Sequence, residues 1–340
     1  MSKKICIVGG AGFIGHNLAL YLAKYDYEIL IVDNLSVNNY NSIINNTDNV
    51  PDPNLSKFVL DERSTLIKNN SRIQILNVDA RDYHLLSSTI TNFDPNILIQ
   101  LAAVSHANRS NKDPYSTFDN SLRTLENALD TCKKTIDHFI FFSSSMVYGN
   151  FKQSVVTEES QCDPIGIYGA LKLAGEILVK SYGNVFDLPY TIVRPSALYG
   201  ERCISRRVGQ IFIENALKNQ PITIKGDGSE ELDFTYIEDL VEGVRLIIEN
   251  EKSKKQIFNL TYGSSNSVKK LLDILKKDFE NINLEYTKKD PFTPIRGTLD
   301  ISKAKELINY NPCNSIEVAY PKYINWYKNI WQTYNAINKS

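Results

Sequence analysis

The sequence lacks the features that mark several protein classes. Its 340 residues contain no run of 18 or more apolar residues, so we expect no membrane-spanning helix. Lys and Arg number 38 and Asp and Glu 39, and this net charge of −1 gives no reason to expect a nucleic acid or an anionic membrane as partner. No basic and apolar leader opens the sequence, and we therefore expect a cytoplasmic location.

Cysteine and histidine are also scarce. The five cysteines are scattered without a CxxC pair, which favours reduced thiols over disulfides or a zinc site. The four histidines do not have the spacing of metal ligands, so no metal site is predicted. His16 directly follows a glycine-rich turn and is expected to line the helix that begins there. His84 and His138 fit structural roles.

Up to residue 195 the chain alternates strand-like apolar runs with amphipathic segments. This rhythm predicts an α/β fold with a parallel, doubly wound sheet and right-handed crossovers. Beyond residue 195 the alternation is looser, as expected of a smaller second lobe. The predicted strands of the sheet are 5–8, 28–32, 73–78, 97–101, 138–142 and 190–193.

The segment 34–72 interrupts this rhythm. It is polar and rich in asparagine, with Pro51 and Pro53 near its middle, and it is long for a connection between strands. Two interpretations stay open, an ordered excursion over a ligand and a mobile surface insert. A helical piece near 60–68 is compatible with either.

The glycine-rich turn from Gly9 to Gly15 is the most informative short motif. It follows an apolar strand and precedes a helix, a geometry that presents backbone N–H groups to a pyrophosphate. Glycine clusters are often simple turns, but Asp33 ends the next strand about 20 residues on, where an acid meets the adenosine ribose. The Asp33 charge repels a 2′-phosphate and no Arg or Lys occurs at 34–36, which favours NAD over NADP.

Tyr168 and Lys172 are spaced i and i+4 and therefore share one face of a predicted helix. An ammonium beside the phenol favours the phenolate, so Tyr168 is a candidate base near neutral pH. A surface pair is the alternative. Ser143, Ser144 and Ser145 end a predicted strand, where α/β sheets bind ligands, although such a triplet is also typical of a turn.

Several motifs follow one another in a fixed order along the chain. They are the Gly9–Gly15 turn, Asp33, Asp79, Leu101-Ala102-Ala103, Ser144 ahead of Val147-Tyr148-Gly149, Tyr168 with Lys172, Arg194-Pro195, Asp233 to Asp239, and Arg296. Together they resemble the extended short-chain dehydrogenases, specifically the NAD-dependent nucleotide-sugar epimerase/dehydratase group. The resemblance covers nearly the whole chain.

This resemblance implies a Rossmann-type domain that binds NAD and a smaller C-terminal α/β lobe that holds a nucleotide sugar, with UDP favoured. It also implies a homodimer that pairs through the helices predicted near 114–132 and 166–182. The implied division is an NAD-binding domain at 1–195, to which part of 232–262 returns, and a sugar-nucleotide lobe at 196–231 and 263–340.

Family roles carry over to individual residues. The resemblance implies that Tyr168 is the base, that Lys172 holds the nicotinamide ribose and that Ser144 assists at the reacting hydroxyl. The implied cofactor-binding residues are Gly9, Gly12, Phe13, Ile14, Gly15, Asp33, Asn34, Asp79, Ala80, Leu101, Ala102, Ala103, Asn120, Ser143, Tyr168 and Lys172. The implied substrate-binding residues are Ser144, Ser145, His106, Ala197, Arg207 and Arg296.

The expected type of reaction is inferred from acidic residues that this chain lacks. The 4,6-dehydratases of this group place an Asp-Glu pair where this chain has Ser145 and Met146, and those acids move the protons of water loss. An epimerase needs neither, so we expect NAD-dependent epimerisation at C4 of a UDP-hexose or a derivative, through a 4-keto intermediate. Glu158 or Glu159 is an alternative source of the acid. A 4,6-dehydratase, a 4-dehydrogenase and a non-catalytic NAD-binding regulatory module therefore stay open.

The chain also departs from the group. Epimerases usually carry an Asn and an Arg near the diphosphate where this chain has Ala197 and Leu232. Arg202, Arg206 and Arg207 lie nearby in sequence and are candidates to supply the missing charge. A solvated surface arginine is the alternative for each.

Overall fold

A computed structural model describes residues 2–45, 50–104, 107–289 and 293–339. Its strands are β1 Lys4–Val8, β2 Glu28–Asp33, β3 Ile73–Asn77, β4 Ile97–Gln100, β5 His138–Phe142, β6 Val155–Val156, β7 Tyr190–Arg194, β8 Leu198–Tyr199, β9 Ile222–Lys225, β10 Glu231–Leu232, β11 Thr235–Tyr236, β12 Gln256–Asn259, β13 Asn266–Ser267, β14 Leu284–Thr287 and β15 Thr298–Leu299. Its α-helices are α1 Phe13–Leu22, α2 Tyr40–Ile44, α3 Pro53–Lys68, α4 Tyr83–Phe93, α5 Ala107–Lys112, α6 Pro114–Phe118, α7 Thr124–Cys132, α8 Ile167–Phe186, α9 Val208–Leu217, α10 Ile237–Glu249, α11 Val268–Leu275, α12 Ser302–Ile308 and α13 Ile316–Lys339.

Seven of these strands form one parallel sheet in the order β12-β7-β5-β4-β1-β2-β3. From β1 the chain builds the sheet outward through β2 and β3, then returns to β4 on the other side of β1 and continues outward through β5, β7 and β12. This reversal opens a crevice beyond the carboxyl ends of β1 and β4, where open α/β sheets bind ligands. The predicted doubly wound α/β fold is confirmed.

Strand β1 shows why the sheet is buried on both faces. Ile5 and Ile7 belong to one apolar core and Cys6 and Val8 to a second core on the opposite face, and all four side chains are fully buried. Successive side chains of a strand point to opposite faces, so an unbroken apolar run is what a sheet covered by helices on both sides requires. Cys6 therefore packs as a small hydrophobe, and all five cysteines of the chain are free thiols.

The described part of segment 34–72 is ordered and helical. Helix α3 begins at Pro53, earlier than the predicted 60–68, because the Asp52 carboxylate caps it by accepting a hydrogen bond from the Leu55 N–H at 2.9 Å. Val59 and Leu60 of α3 are buried against Ile204. These residues are therefore ordered, as the first interpretation expected, but α3 packs on the body of the protein and does not lie over a ligand site.

The helix predicted over 114–132 is divided into shorter pieces. Asp113 caps α6 at the Ser116 N–H, and a five-residue π-helical turn at Asp119–Arg123 separates α6 from α7. Helix α5, just before Asp113, was not predicted, and none of its residues 107–112 has an apolar side chain larger than alanine. A helix without apolar periodicity gives no sequence signal.

The chain beyond residue 195 forms small sheets and helices beside the large sheet. Strand β9 pairs with β14 and packs against α9, and α9, α11 and α13 pack against one another. One strand of this half, β12, instead pairs with β7 at the edge of the large sheet. Within the described ranges, no helix has the length and apolar character needed to cross a membrane.

Candidate active site

A cavity of about 370 Å³ lies beyond the carboxyl ends of the central strands. It is lined by every residue predicted to bind cofactor or substrate, apart from His106, which lies outside the described residues. The cavity therefore brings the glycine turn, Asp33, Asp79, the serine triplet and Tyr168 with Lys172 into one site. Lining residues that were not predicted include Val37, Asn38, Asn108, Thr124, Ser196, Ser205 and Thr293.

The glycine turn is shaped by close backbone contacts. Gly9 has a φ of +81°, and a Cβ on it would lie 2.5 Å from the Ala102 N atom. A Cβ on Gly15 would lie 2.5 Å from the Cα and O atoms of Gly10. Helix α1 begins directly after Gly12, which provides no side-chain cap, so the first N–H groups of the helix are available to a ligand.

Alanine substitutions separate the two roles of these glycines. We expect Gly15→Ala to lower the free energy of unfolding by about 1–3 kcal/mol, because the new methyl group meets rigid backbone. Gly12→Ala should leave stability unchanged, because its Cβ would meet only the Gly9 O atom at 3.5 Å, yet it should weaken NAD binding about tenfold by filling the cradle. Urea unfolding and calorimetric NAD titration measure the two effects, and wild-type NAD affinity in Gly12→Ala would refute the assignment.

Two acids lie at the end of the cavity formed by β2 and β3. The Asp33 carboxylate accepts hydrogen bonds from the Ala11 N–H at 2.9 Å and the Leu35 N–H at 2.7 Å. Burial raises the pKa of Asp33, and these backbone hydrogen bonds oppose the rise. The Arg81 guanidinium bonds to Asp79 and lowers the pKa of that carboxyl. Asp33 thus stands beside the glycine turn, as a ribose-binding acid must.

The other end of the cavity holds Tyr168, Ser144 and Lys172. Tyr168 is half-buried, and burial raises its pKa, whereas the charge of Arg207 and a hydrogen bond with Ser144 lower it. The Lys172 ammonium donates to the Phe142 carbonyl at 2.7 Å and lies 6.0 Å from the centre of the Tyr168 ring. Burial lowers the pKa of Lys172 to about 8, against the opposing charge of Glu176. The charge of Arg207 therefore favours the Tyr168 phenolate, in addition to the nearby ammonium of Lys172 that the sequence suggested.

A buried hydrogen-bond network lies beneath these residues. The Ser143 hydroxyl donates to Glu176 at 2.5 Å, and the Arg194 guanidinium donates to both Glu176 oxygens at 2.9 and 2.7 Å. Arg194 also donates to the Tyr148 hydroxyl at 2.9 Å. Glu176 and Arg194 are at most 3% exposed, so the pair is shielded from water. The network joins α8, which carries Tyr168 and Lys172, to the ends of β5 and β7.

Comparison with known proteins decides the family. Residues 5–261 match the model of the NAD dependent epimerase/dehydratase family. The chain belongs to this family. A UDP-glucuronate 4-epimerase of Thermodesulfobacterium geofontis is 27% identical to this chain, and the alignment covers 95% of each protein. A dTDP-glucose 4,6-dehydratase of Haemophilus influenzae is 24% identical, and the alignment covers 95% of this chain and 97% of the dehydratase. The structure of a Bacillus cereus UDP-glucuronic acid 4-epimerase with UDP-glucuronic acid and NAD has 28% identity and a TM-score of 0.86, covering 96% of this chain and 99% of its own.

The cavity fits the NAD on which this family depends. The glycine turn leaves room where a Cβ on Gly12 would project, and the uncapped start of α1 suits a pyrophosphate. Asp33 suits the hydroxyls of an adenosine ribose and repels a 2′-phosphate. His16 lies in α1, as expected, but it does not line this cavity. It is buried behind the turn, where its Nδ1–H donates to the Gly12 carbonyl at 2.9 Å.

The candidate arginines divide into two pairs. Arg207 and Arg296 line the cavity, and the Arg296 Nε atom is buried without a hydrogen-bond partner in the structure. Arg202 turns away to donate to His16 and Asn17, and Arg206 pairs with Glu214 at 3.2 Å. Arg207 and Arg296 are thus the two of these four arginines that reach the cavity.

The acids that were alternatives to the missing Asp-Glu pair do not line the cavity. Glu158 is buried elsewhere, where it accepts a hydrogen bond from the Asn259 N–H at 2.7 Å, and Glu159 is exposed. Among the described lining residues, the acids are Asp33 and Asp79, both at the glycine-turn end. The Tyr168 end offers Ser144, Ser145 and Met146 instead.

Proposed function

We propose that this protein is an NAD-dependent epimerase that inverts C4 of a UDP-hexose or of its uronic or acetamido derivative. The observation that carries the proposal is the convergence of Tyr168, Ser144 and Lys172 on one end of the cavity that fits NAD. The UDP-sugar epimerases among the relatives support the choice of nucleotide.

Each polar group at this end has a part in the chemistry. Tyr168 takes the proton of the 4-hydroxyl and later returns it, while the Ser144 hydroxyl donates a hydrogen bond to the same oxygen. Bound NAD would supply the acceptor for a hydride from C4 and, once reduced, the donor that returns it to the opposite face of the 4-keto sugar. Lys172 holds the nicotinamide ribose, and Arg207 and Arg296 bind the diphosphate. The other predicted lining residues, including Asn120 and Ala80, form the walls of the same cavity.

The dehydratase is the second candidate, because dehydratases are relatives of this chain. Loss of water needs an acid near C5 and C6, and the described lining residues offer Met146 at the expected place. A regulatory module without catalysis would have no need for Tyr168, Ser144 and Lys172 together.

Product analysis tests the function directly. Purified protein is incubated separately with UDP-glucose, UDP-glucuronate and UDP-N-acetylglucosamine, and the mixtures are followed by proton NMR. We expect one of them to equilibrate with its C4 epimer without a lasting rise in the absorbance of reduced nicotinamide. Accumulation of a 4-keto-6-deoxy sugar would establish the dehydratase instead, and no reaction with any of the three would contradict the epimerase.

The assembly, domain and location expectations extend this proposal. Helices α6 and α8 pack side by side and expose Tyr115, Phe118 and Ile177, a surface suited to a homodimer contact that light scattering can test. NAD is assigned to residues 1–195 and to the part of 232–262 that returns as β12, and the nucleotide sugar to the rest. Five free thiols fit a reducing cytoplasm.

A further inference from the structure

Arg63, in helix α3 of the excursion after β2, is a buried cation that none of the proposed chemistry uses. It is 2% exposed. Its Nε donates to the Arg202 carbonyl at 2.8 Å, its Nη2 donates to the same oxygen, and its Nη1 reaches the Ala11 carbonyl at 3.5 Å. Burying a guanidinium is costly, and here its donors bond to the backbone of two other segments. Arg63 thereby joins the glycine turn to the segment after Gly200.

The side chain of Arg202 makes a second connection between the same two segments. Its Nε donates to the His16 Nε2 at 3.2 Å, and its Nη2 donates to the Asn17 Oδ1 at 3.1 Å. The His16 Nδ1–H donates to the Gly12 carbonyl, so Nε2 is the acceptor of the neutral ring. Burial and the charges of Arg63 and Arg202 lower the pKa of His16, which keeps the ring neutral. Arg202 itself has a φ of +61°, a conformation that needs support from its surroundings.

The segment fixed in this way leads directly into the cavity. Cys203 and Ile204 are buried, the latter against Val59 and Leu60 of α3, and the next residues supply Ser205 and Arg207 to the cavity wall. Tyr168 lines the same cavity, and the charge of Arg207 lowers its pKa. The position of Arg207 therefore depends on a backbone segment to which Arg63 is hydrogen-bonded through the Arg202 carbonyl.

We propose that Arg63 is a positioning residue that holds segment 202–207 on the NAD-binding turn and thereby keeps Arg207 in the wall of the cavity that Tyr168 also lines. The kinetic part of this inference rests on the proposed epimerase function, whereas the structural part does not. Arg63 acts through Arg207 and does not reach the reacting atoms. Among the described residues, the charged groups that bear on the ionisation of Tyr168 are Arg207 and Lys172. The Lys172 Nζ atom lies 6.0 Å from the centre of the Tyr168 ring.

The experiment compares Arg63→Met and Arg63→Lys with Arg72→Met, whose side chain pairs only with exposed Asp26 at 2.6 Å among the described contacts. Hydrogen exchange by mass spectrometry is measured over 202–207, and kcat/KM against pH is measured with the active UDP-sugar. We expect Arg63→Met to speed exchange in this segment, to lower kcat/KM about 100-fold and to move the acid limb of the profile up by about one pH unit. Arg63→Lys, which keeps the charge but not the forked geometry, should show smaller changes of the same sign, and Arg72→Met none.

A double variant separates positioning from general destabilisation. In the Arg207→Gln background the charge beside Tyr168 is already absent, so adding Arg63→Met should cause no further shift of the acid limb. If the two substitutions shift the acid limb additively, the proposal is overturned. It is also overturned if hydrogen exchange over 202–207 in Arg63→Met is as slow as in the wild type. If Arg63→Met does not fold, the same outcomes are scored on Arg63→Lys. If the wild-type protein is inactive, the epimerase function is refuted. Hydrogen exchange over 202–207 still tests whether Arg63 holds this segment.

Discussion

Tyr168→Phe is expected to lower kcat for epimerisation by about 10²–10⁴-fold while the variant keeps its NAD. The substitution removes the oxygen that takes the 4-hydroxyl proton, but it keeps the ring that lines the cavity. Single-turnover rates and the amount of cofactor released on denaturation give the two quantities.

Tyr182→Phe is the matched control, because Tyr182 lies on the same helix α8 and its ring packs against Phe186 at a centroid distance of 5.2 Å, away from the cavity. Its activity should equal that of the wild type. Full activity in Tyr168→Phe would show that another group is the base.

Arg194→Met is expected to lower the free energy of unfolding by about 3–5 kcal/mol. The change removes both hydrogen bonds to Glu176 and leaves that carboxylate fully buried without its cation. It also removes a donor from the Tyr148 hydroxyl. Urea unfolding of the NAD-free protein gives the difference, because bound NAD would otherwise stabilise the variant and the wild type to different extents.

The comparison for this prediction is Lys255→Met, which breaks the exposed pair with Asp187 and should change the stability little. If Arg194→Met proved as stable as Lys255→Met, the buried pair would contribute little to the fold, and the network beneath the site would need another explanation.

The parts of this site that were predictable are those encoded by local sequence. A glycine turn, an acid at the end of the next strand and a Tyr-Lys pair one helical turn apart each carry their geometry within a few residues. Local signals also located six of the seven strands of the large sheet, because strands buried on both faces are rich in apolar residues.

Long-range partners account for what the sequence did not reveal. Arg63 binds a carbonyl 139 residues away, and no local pattern distinguishes it from a surface arginine of an amphipathic helix. Glu176 did leave a signal, since it continues the series Tyr168, Lys172 at i+8 on one helix face. The effect of Arg207 on Tyr168 was not predicted, because Arg207 is distant in sequence and lines the same cavity only through the fold.

In the proposed epimerisation, a hydride leaves C4 and returns to C4 within one turnover. The most direct test uses UDP-glucose and UDP-glucuronate that carry deuterium at C4, incubated with the protein in ordinary water and analysed by NMR. We expect the C4 epimer of whichever sugar reacts to keep its deuterium at C4 and to carry none at C5 or C6. Loss of deuterium from C4 to solvent, or a product with the label at C6, would contradict it.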